Sequence, residues 1–211
     1  MVKYVRVYIE GGAKGKTADR DFRRGWKKFL NELHELARNH GFQGLEVIRG
    51  TGRGQAFHHF LHYRPEYEHD LRVLLVDSEM AVPEGRNVWD IVARRVNDPW
   101  RRPKWATERN LYLMAHFVET WLLTDRDALQ QFFNRGFNPA GLPNTDLENR
   151  PKDEIDSALV HATRLSSKGP YKHGQSHEII ALVSPDRVKT LSHGRRLFNT
   201  LGSLIRNEPE M

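Results

Sequence analysis

The chain has 211 residues, 38% of them hydrophobic and 28% charged, which is enough to bury a substantial core without disulfides or a structural metal. Cysteine is absent, which excludes disulfide frameworks, thiolate zinc sites, iron–sulfur clusters and thiol catalysis. The net charge of +6 weakly favours a polyanionic partner. The first residues have too short an apolar run for a signal peptide, and no run approaches the roughly 18 apolar residues of a membrane span. We therefore expect a cytoplasmic protein.

The first part of the chain alternates between strand-like and helix-like segments. Predicted strands cover residues 4–9, 45–48, 71–76 and 111–115. A long helix is predicted from a cap at Thr17 to a stop at Gly41, a second helix runs from the glycine-rich loop 49–54 to residue 61, and a third covers residues 88–96. The third strand is almost continuously apolar, as is typical of a strand buried on both faces of a parallel sheet. This alternation predicts an α/β fold with a mostly parallel sheet flanked by helices.

The rest of the chain has a helical pattern. Helices are predicted at residues 119–123, 127–133, 152–165, 176–183 and 194–205, with Asp125 or Asp127 as a cap and a loop at 134–151. No internal repeat or low-complexity linker separates the two parts. We expect an α/β core over residues 1–125 and a helical C-terminal extension over residues 126–211 that packs on it as one unit.

Acidic residues follow two of the predicted strands. Glu10 comes directly after the first strand, and Asp77 and Glu79 come after the third. In a parallel sheet, ligands bind beyond the carboxyl ends of the strands, so these side chains converge if the two strands are neighbours. Three carboxylates so close repel one another unless a cation neutralises them, and oxygen ligands suit Mg²⁺ or Mn²⁺. The alternative is that the acids simply mark solvated strand ends.

The same acids resemble the Glu and Asp-x-Asp signatures of the Toprim fold, which topoisomerases, primases and OLD-type nucleases share. More closely, the chain resembles a family of small bacterial Toprim-like proteins often found beside ATPases in phage-defence gene clusters. The matching segments are residues 75–79, 114–125, 168–174 and 195–198. The chain departs from the Toprim pattern at Glu79, where an Asp is usual; the glutamate is one methylene longer and can still bind Mg²⁺.

The resemblance implies a Toprim-like core and a set of site residues. Glu10, Asp77 and Glu79 are expected to be catalytic and to bind Mg²⁺ or Mn²⁺. Glu119 is expected either to bind a second metal or to orient Lys172; the alternative is a carboxylate that stabilises the start of a helix. Lys172 is expected to stabilise negative charge in the transition state, unless it lies in an ordinary solvated loop.

Basic residues suggest how nucleic acid would be aligned. Arg53 lies in the glycine-rich loop after the second strand, and Lys16 lies just before the first helix. Arg101, Arg102 and Lys104 alternate with tryptophans, a combination that suits phosphate contact and base stacking. The alternative for this segment is a surface loop held in place by buried tryptophans.

Together these features predict a divalent-metal-dependent phosphodiesterase that acts on nucleic acid, in phage defence with an ATPase partner. Two alternatives stay open. The chain could be a non-catalytic nucleic-acid-binding or regulatory subunit of an ATPase complex, or it could act on the phosphoryl groups of a small nucleotide.

Overall fold

In the computed structural model, four strands form one parallel sheet in the order β2-β1-β3-β4. The structure describes residues 3–11, 16–62, 69–83, 85–96 and 98–209, with only the backbone of Lys16. The strands are β1 (Val5–Glu10), β2 (Leu45–Gly50), β3 (Leu71–Asp77) and β4 (Leu111–Met114). The predicted parallel α/β sheet is confirmed, and its first and third strands are neighbours.

Both faces of the sheet are covered by helices, because successive side chains of a strand point to opposite faces. On β3, Val73 and Leu75 join the larger hydrophobic core, whereas Leu74 and Val76 join the smaller one. The smaller core is closed by α3 (Arg53–Leu61) and α4 (Val88–Ala93). The larger core is closed by α1 (Lys16–Phe29), α2 (Asn31–Asn39) and the helices after β4.

The helices after β4 are α5 (Val118–Leu122), α6 (Arg126–Phe133), α7 (Lys152–Thr163), α8 (Ser176–Ile180), α9 (Pro185–Val188) and α10 (Ser192–Ile205). The predicted helical C-terminal part is therefore present. One hydrophobic core contains strand residues such as Val7 and α10 residues such as Leu201, so it spans the predicted boundary at residue 125. This mixed α/β architecture with a helical C-terminus is consistent with a Toprim-like fold.

Three details of the helix prediction were wrong. Thr17 is not a cap, because α1 already begins at Lys16. The segment after Thr17 is not one helix but two, because Leu30 leaves the helical backbone with a ψ of 17°. The short helix α9, which begins at Pro185, was not predicted, and the preceding helix α8 ends at Ile180 rather than at residue 183. Asp125 is confirmed as a helix cap, since its Oδ1 accepts a hydrogen bond of 3.0 Å from the N–H of Ala128.

The amino edge of the sheet is closed by a network of opposite charges. Asp70, just before β3, accepts hydrogen bonds from the backbone N–H of Tyr4 at 2.6 Å and from Nε of Arg6 at 2.5 Å. Arg6 also pairs with Glu46 on the neighbouring strand. The Asp70 side chain is only 2% exposed, and each of its oxygens has a partner.

No helix in the described ranges combines the length and the apolar character needed to cross a bilayer.

Candidate metal centre

The three acids predicted to converge do so at the carboxyl edge of the sheet. Glu10 is the last residue of β1, and Asp77 is the last residue of the adjacent β3. Oε2 of Glu10 accepts a hydrogen bond of 3.3 Å from the backbone N–H of Asp77, so the ends of strands β1 and β3 are joined directly. One carboxylate oxygen from each of Glu10, Asp77 and Glu79 lies within 4.8 Å of the other two. We call these three residues the acidic cluster.

Glu79 reaches the cluster through a turn that L-residues rarely adopt. Its φ is +62°, in the left-handed region, and His116 beyond β4 is likewise at +52°. The two strained residues support each other, because the N–H of Glu79 donates to the carbonyl of His116 at 2.9 Å. Ser78 accepts a 2.9 Å hydrogen bond from the N–H of His116 through its hydroxyl. Each such backbone costs about 1–3 kcal/mol and persists only where the surroundings hold it, most often at functional sites.

One buried oxygen of the acidic cluster is left without a hydrogen-bond donor among the described residues. This oxygen is Oδ1 of Asp77. Burial, followed by the charges of Glu10 and Glu119, raises the pKa of Asp77 well above its usual range. Burial also raises the pKa of Glu10, although Arg53 acts in the opposite direction. A buried carboxylate oxygen without a partner is costly, and a hard divalent cation such as Mg²⁺ or Mn²⁺ would satisfy it.

Two cations approach the cluster from opposite sides at Glu79. Nζ of Lys152, at the start of α7, lies 3.1 Å from Oε2 of Glu79. Nη1 of Arg53 lies 3.9 Å from the other oxygen, while its Nε binds Asp98 at 2.8 Å. Burial lowers the pKa of Lys152, but the hydrogen bond and charge of Glu79 outweigh burial, and the net pKa is raised. Lys152 is therefore a charged group at the rim of the cluster.

Arg95 supports the cluster from inside the fold. Its side chain follows α4 and is buried, and its Nη2 donates to the carbonyl oxygens of Asp77 at 2.8 Å and of Ser78 at 3.3 Å. Burial lowers the pKa of this guanidinium. Arg95 thus holds the backbone between Asp77 and Glu79. It also brings positive charge close to the carboxylates of both residues.

Glu119 lies beside the acidic cluster in a hydrogen-bonded network of its own. It is 2% exposed, and its Oε1 accepts hydrogen bonds from the hydroxyl of Tyr171 and, at 2.9 Å, from Nδ1 of His173. On its other side, the His173 ring lies 3.6 Å from Asp156. The hydrogen bond to Glu119 raises the pKa of His173 despite partial burial. Lys172, between the two contacting residues, is exposed. Metal binding by Glu119 and a charge-stabilising role for Lys172 stay predictions.

The residues predicted to bind nucleic acid do not all lie together. Arg53 lies at the acidic cluster, whereas Arg101, Arg102 and Lys104 are exposed on the loop after α4. The Lys16 side chain lies outside the described residues. The tryptophans of the loop differ: Trp100 is buried and stacked on Phe57, with ring centroids 4.3 Å apart, but Trp105 is 44% exposed.

Sequence reasoning missed Lys152, Asp156 and the position of Arg95. Lys152 and Asp156 lie one turn apart on α7, a spacing that places both side chains on one face of a helix. This pattern could have marked a polar face directed at one site. Nothing local could have linked Lys152 to Glu79, because the two are 73 positions apart in the chain.

Comparison with known proteins gives a family but no characterised relative. The family model described as a domain of unknown function, DUF4276, matches residues 13–202, which is most of the chain. The chain belongs to this family. No curated protein and no solved structure matches it. The comparisons therefore add no reaction, and a functional argument has to start from the acidic cluster.

Proposed function

We propose that this member of the DUF4276 family is a divalent-metal-dependent phosphodiesterase that acts on nucleic acid, with Mg²⁺ or Mn²⁺ at the acidic cluster. The observation that carries the proposal is the buried, unpartnered Oδ1 of Asp77, within a group of three carboxylates whose oxygens lie within 4.8 Å of one another. The net positive charge of the chain and its exposed basic loop support a polyanionic substrate.

Each residue of the cluster has a distinct task in this proposal. Asp77, rigid at the end of β3, and Glu10, bonded to the Asp77 backbone, would hold a cation between β1 and β3. Glu79, on the strained turn, would complete the oxygen ligands from the solvent side. A divalent cation bound there polarises a phosphate and lowers the pKa of a water molecule. Glu10 is also placed to accept a proton, since burial raises its pKa above that of an ordinary glutamate and makes it a stronger base.

Lys152 is the cation that the structure favours for contact with the phosphate. Its Nζ already lies 3.1 Å from a cluster carboxylate, and an ammonium there would stabilise negative charge that develops on phosphate oxygens. Lys172 was predicted for this role from the sequence. It remains a second candidate, because Tyr171 and His173 on either side of it bind Glu119 beside the cluster.

A rival function is a non-catalytic binding or regulatory subunit. The ion pairs of Glu79 with Lys152 and Arg53 favour it, because they balance part of the cluster's charge without any metal. In that case the acids would be structural, and replacing Asp77 would leave binding of nucleic acid unchanged.

The test is cleavage of labelled single- and double-stranded DNA and RNA with Mg²⁺ or Mn²⁺, comparing wild type with Asp77→Asn and Glu10→Gln. Loss of one metal ligand removes several kcal/mol of transition-state stabilisation, so we expect about a 10³-fold loss of rate in each variant. Glu35→Gln, which removes an exposed acid of α2, is the matched control and should keep full activity. Calorimetric titration with Mn²⁺ gives a readout independent of turnover.

Several results would contradict the proposal. Equal cleavage by wild type and both cluster variants would mean that the activity comes from elsewhere. Absence of Mn²⁺ binding at millimolar concentration, together with no cleavage, would transfer the assignment to the regulatory function. Cleavage of mononucleotides in preference to oligonucleotides would favour a small-nucleotide substrate. The resemblance to Toprim-like proteins encoded beside ATPases supports a parallel assay with an ATPase of that kind and ATP, and activity only in that mixture would support a joint function in phage defence.

A further inference from the structure

The loop between α4 and β4 crosses one face of the molecule from the acidic cluster to the opposite edge of the sheet. At one end, Asp98 binds Arg53, which lies 3.9 Å from Glu79 of the cluster. At the other end, the Trp105 ring packs against Arg72, whose guanidinium carbon lies 3.9 Å from the ring centroid near the start of β3. Because Arg72 and Asp77 are five positions apart on β3, the loop covers about 16 Å at about 3.3 Å per residue.

The loop is held by contacts with α3 and within itself although it lacks regular secondary structure. Asp98 accepts a hydrogen bond of 2.7 Å from Nε1 of Trp100, and the Trp100 ring stacks on Phe57 with an interplanar angle of 9°. Further along, the N–H of Ala106 donates to the carbonyl of Pro103 at 3.0 Å. The surface that it presents is therefore formed before any partner binds, which reduces the ordering cost of binding.

The exposed side of this loop is positively charged and without counter-charges. Arg101, Arg102 and Lys104 are exposed, and none of them forms an ion pair with another residue in the described part of the chain. The basic face of α1 differs, because three of its arginines pair with Asp19 or Asp21 on the same helix. The loop cations are therefore available to neutralise an external polyanion.

Trp105 adds a stacking surface next to these cations. It is 44% exposed, and its ring is held in place by Phe60, at a centroid distance of 4.9 Å, and by Arg72. Aromatic rings beside phosphate-binding cations suit single strands, because the bases of a single strand are free to stack on protein whereas those of a duplex are stacked on one another. The distance of about 16 Å that the loop covers corresponds to about five stacked nucleotides at about 3.4 Å each.

We propose that the loop 98–107 binds a single strand of nucleic acid, with its phosphates on Arg101, Arg102 and Lys104 and a base on Trp105, and directs it to the acidic cluster. The inference deepens the proposed function and rests on it only for the destination of the strand. It names the substrate class as single-stranded, and it assigns Trp105 a role in recognition.

The test measures binding without catalysis. Fluorescence anisotropy of labelled oligo-dT and oligo-rU is recorded in EDTA with the Asp77→Asn protein as background, at several salt concentrations, and a duplex of the same length is the competitor. Replacing Arg101, Arg102 and Lys104 together by Gln should reduce the slope of log K against log salt by about 2, because each single-strand phosphate contact contributes about 0.7. Trp105→Ala should weaken binding roughly 5- to 100-fold, and Trp105→Phe should restore most of it.

A matched control removes three charges from the opposite face of the sheet. Gln at Arg24, Lys27 and Lys28, all exposed on α1, gives the same change in net charge and should leave the salt slope unchanged. An equal loss of slope in both triple variants, tighter binding of the duplex, or no binding of either single strand would overturn the inference. Because the binding assay contains no metal, it is independent of turnover. Binding that depends on the loop, together with no cleavage by wild type in the Mg²⁺ and Mn²⁺ assays, would contradict the proposed function alone, and cleavage without a contribution of the loop would contradict this inference alone.

Discussion

The two edges of the sheet hold acidic residues in opposite states. At the amino edge, Asp70 is 2% exposed and each of its oxygens accepts a hydrogen bond, one of them from Arg6. At the carboxyl edge, Asp77 at the end of β3 has an oxygen that is buried and unpartnered among the described residues, and its neighbours include like charges. One edge is a completed structural ion pair, and the other is an arrangement that a cation would complete. The comparison shows that burial of an acid by itself says little; its partners decide whether it stabilises the fold or carries function.

The largest expected effect tests the ion pair at the amino edge of the sheet. Arg6→Ala should lower the free energy of unfolding by about 3–5 kcal/mol, because it leaves Asp70 buried without its cation. Urea denaturation measures the change. The double variant Arg6→Met with Asp70→Asn should recover most of the loss, since it removes both charges together. A single variant as stable as wild type would remove the distinction between the two edges.

The next largest effect tests whether Glu119, beside the acidic cluster, is a hydrogen-bonded structural acid like Asp70. Glu119→Ala removes the acceptor of both Tyr171 and His173 and should cost about 2–3 kcal/mol, because at least one buried donor is left unsatisfied. Glu119→Gln keeps an acceptor oxygen and should cost about half as much. Thermal unfolding measures both. If Glu119→Ala instead stabilised the protein, Glu119 would belong with the unsatisfied acidic cluster.

A stabilising change, opposite in sign to the two above, is expected for Asp77 at the carboxyl edge. Asp77→Asn should raise the free energy of unfolding at pH 7 in EDTA by about 1–2 kcal/mol, as functional-site replacements often do. The folded protein holds the Asp77 proton more tightly than the unfolded chain, so wild-type stability falls as pH rises from 3.8, the usual pKa, through the raised value. The gain should therefore vanish in acid. Mg²⁺ should stabilise wild type more than the variant, and a variant less stable than wild type at pH 7 would contradict the assignment.

The smallest effect concerns His173. Its raised pKa means that its ion pair with Glu119 stabilises the fold fully below pH 6.5 and that this contribution is lost as pH rises through the folded-state pKa. His173→Gln should therefore cost under about 1 kcal/mol at pH 6, since the ring is largely exposed, and almost nothing at pH 9. Melting temperatures at the two pH values measure the difference. A cost independent of pH would mean that the ring acts by packing alone.

Much of the fold could be predicted from local patterns. The apolar run of β3 and the alternation of strands with helices specify a parallel sheet, because only a strand covered on both faces tolerates such a run. The break at Leu30 could not be predicted, since nothing in the sequence there interrupts helical periodicity. Likewise, Trp100 and Trp105 both pack on phenylalanines of α3, and nothing in the local sequence shows that the first is buried and the second exposed.

The sequence by itself determined which carboxylates lie at one edge of the sheet, whereas their meeting depended on β1 and β3 being neighbours. Glu10 and Asp77 end two strands, and parallel strands bring their carboxyl ends to one edge of a sheet whatever the rest of the chain does. Only the tertiary structure decided what surrounds those acids. Lys152 arrives from 73 positions away, and Arg95 and His116 hold the turn that carries Glu79. The physical reason is that strand ends follow from local periodicity, whereas the charge balance of a buried site depends on side chains brought together by packing.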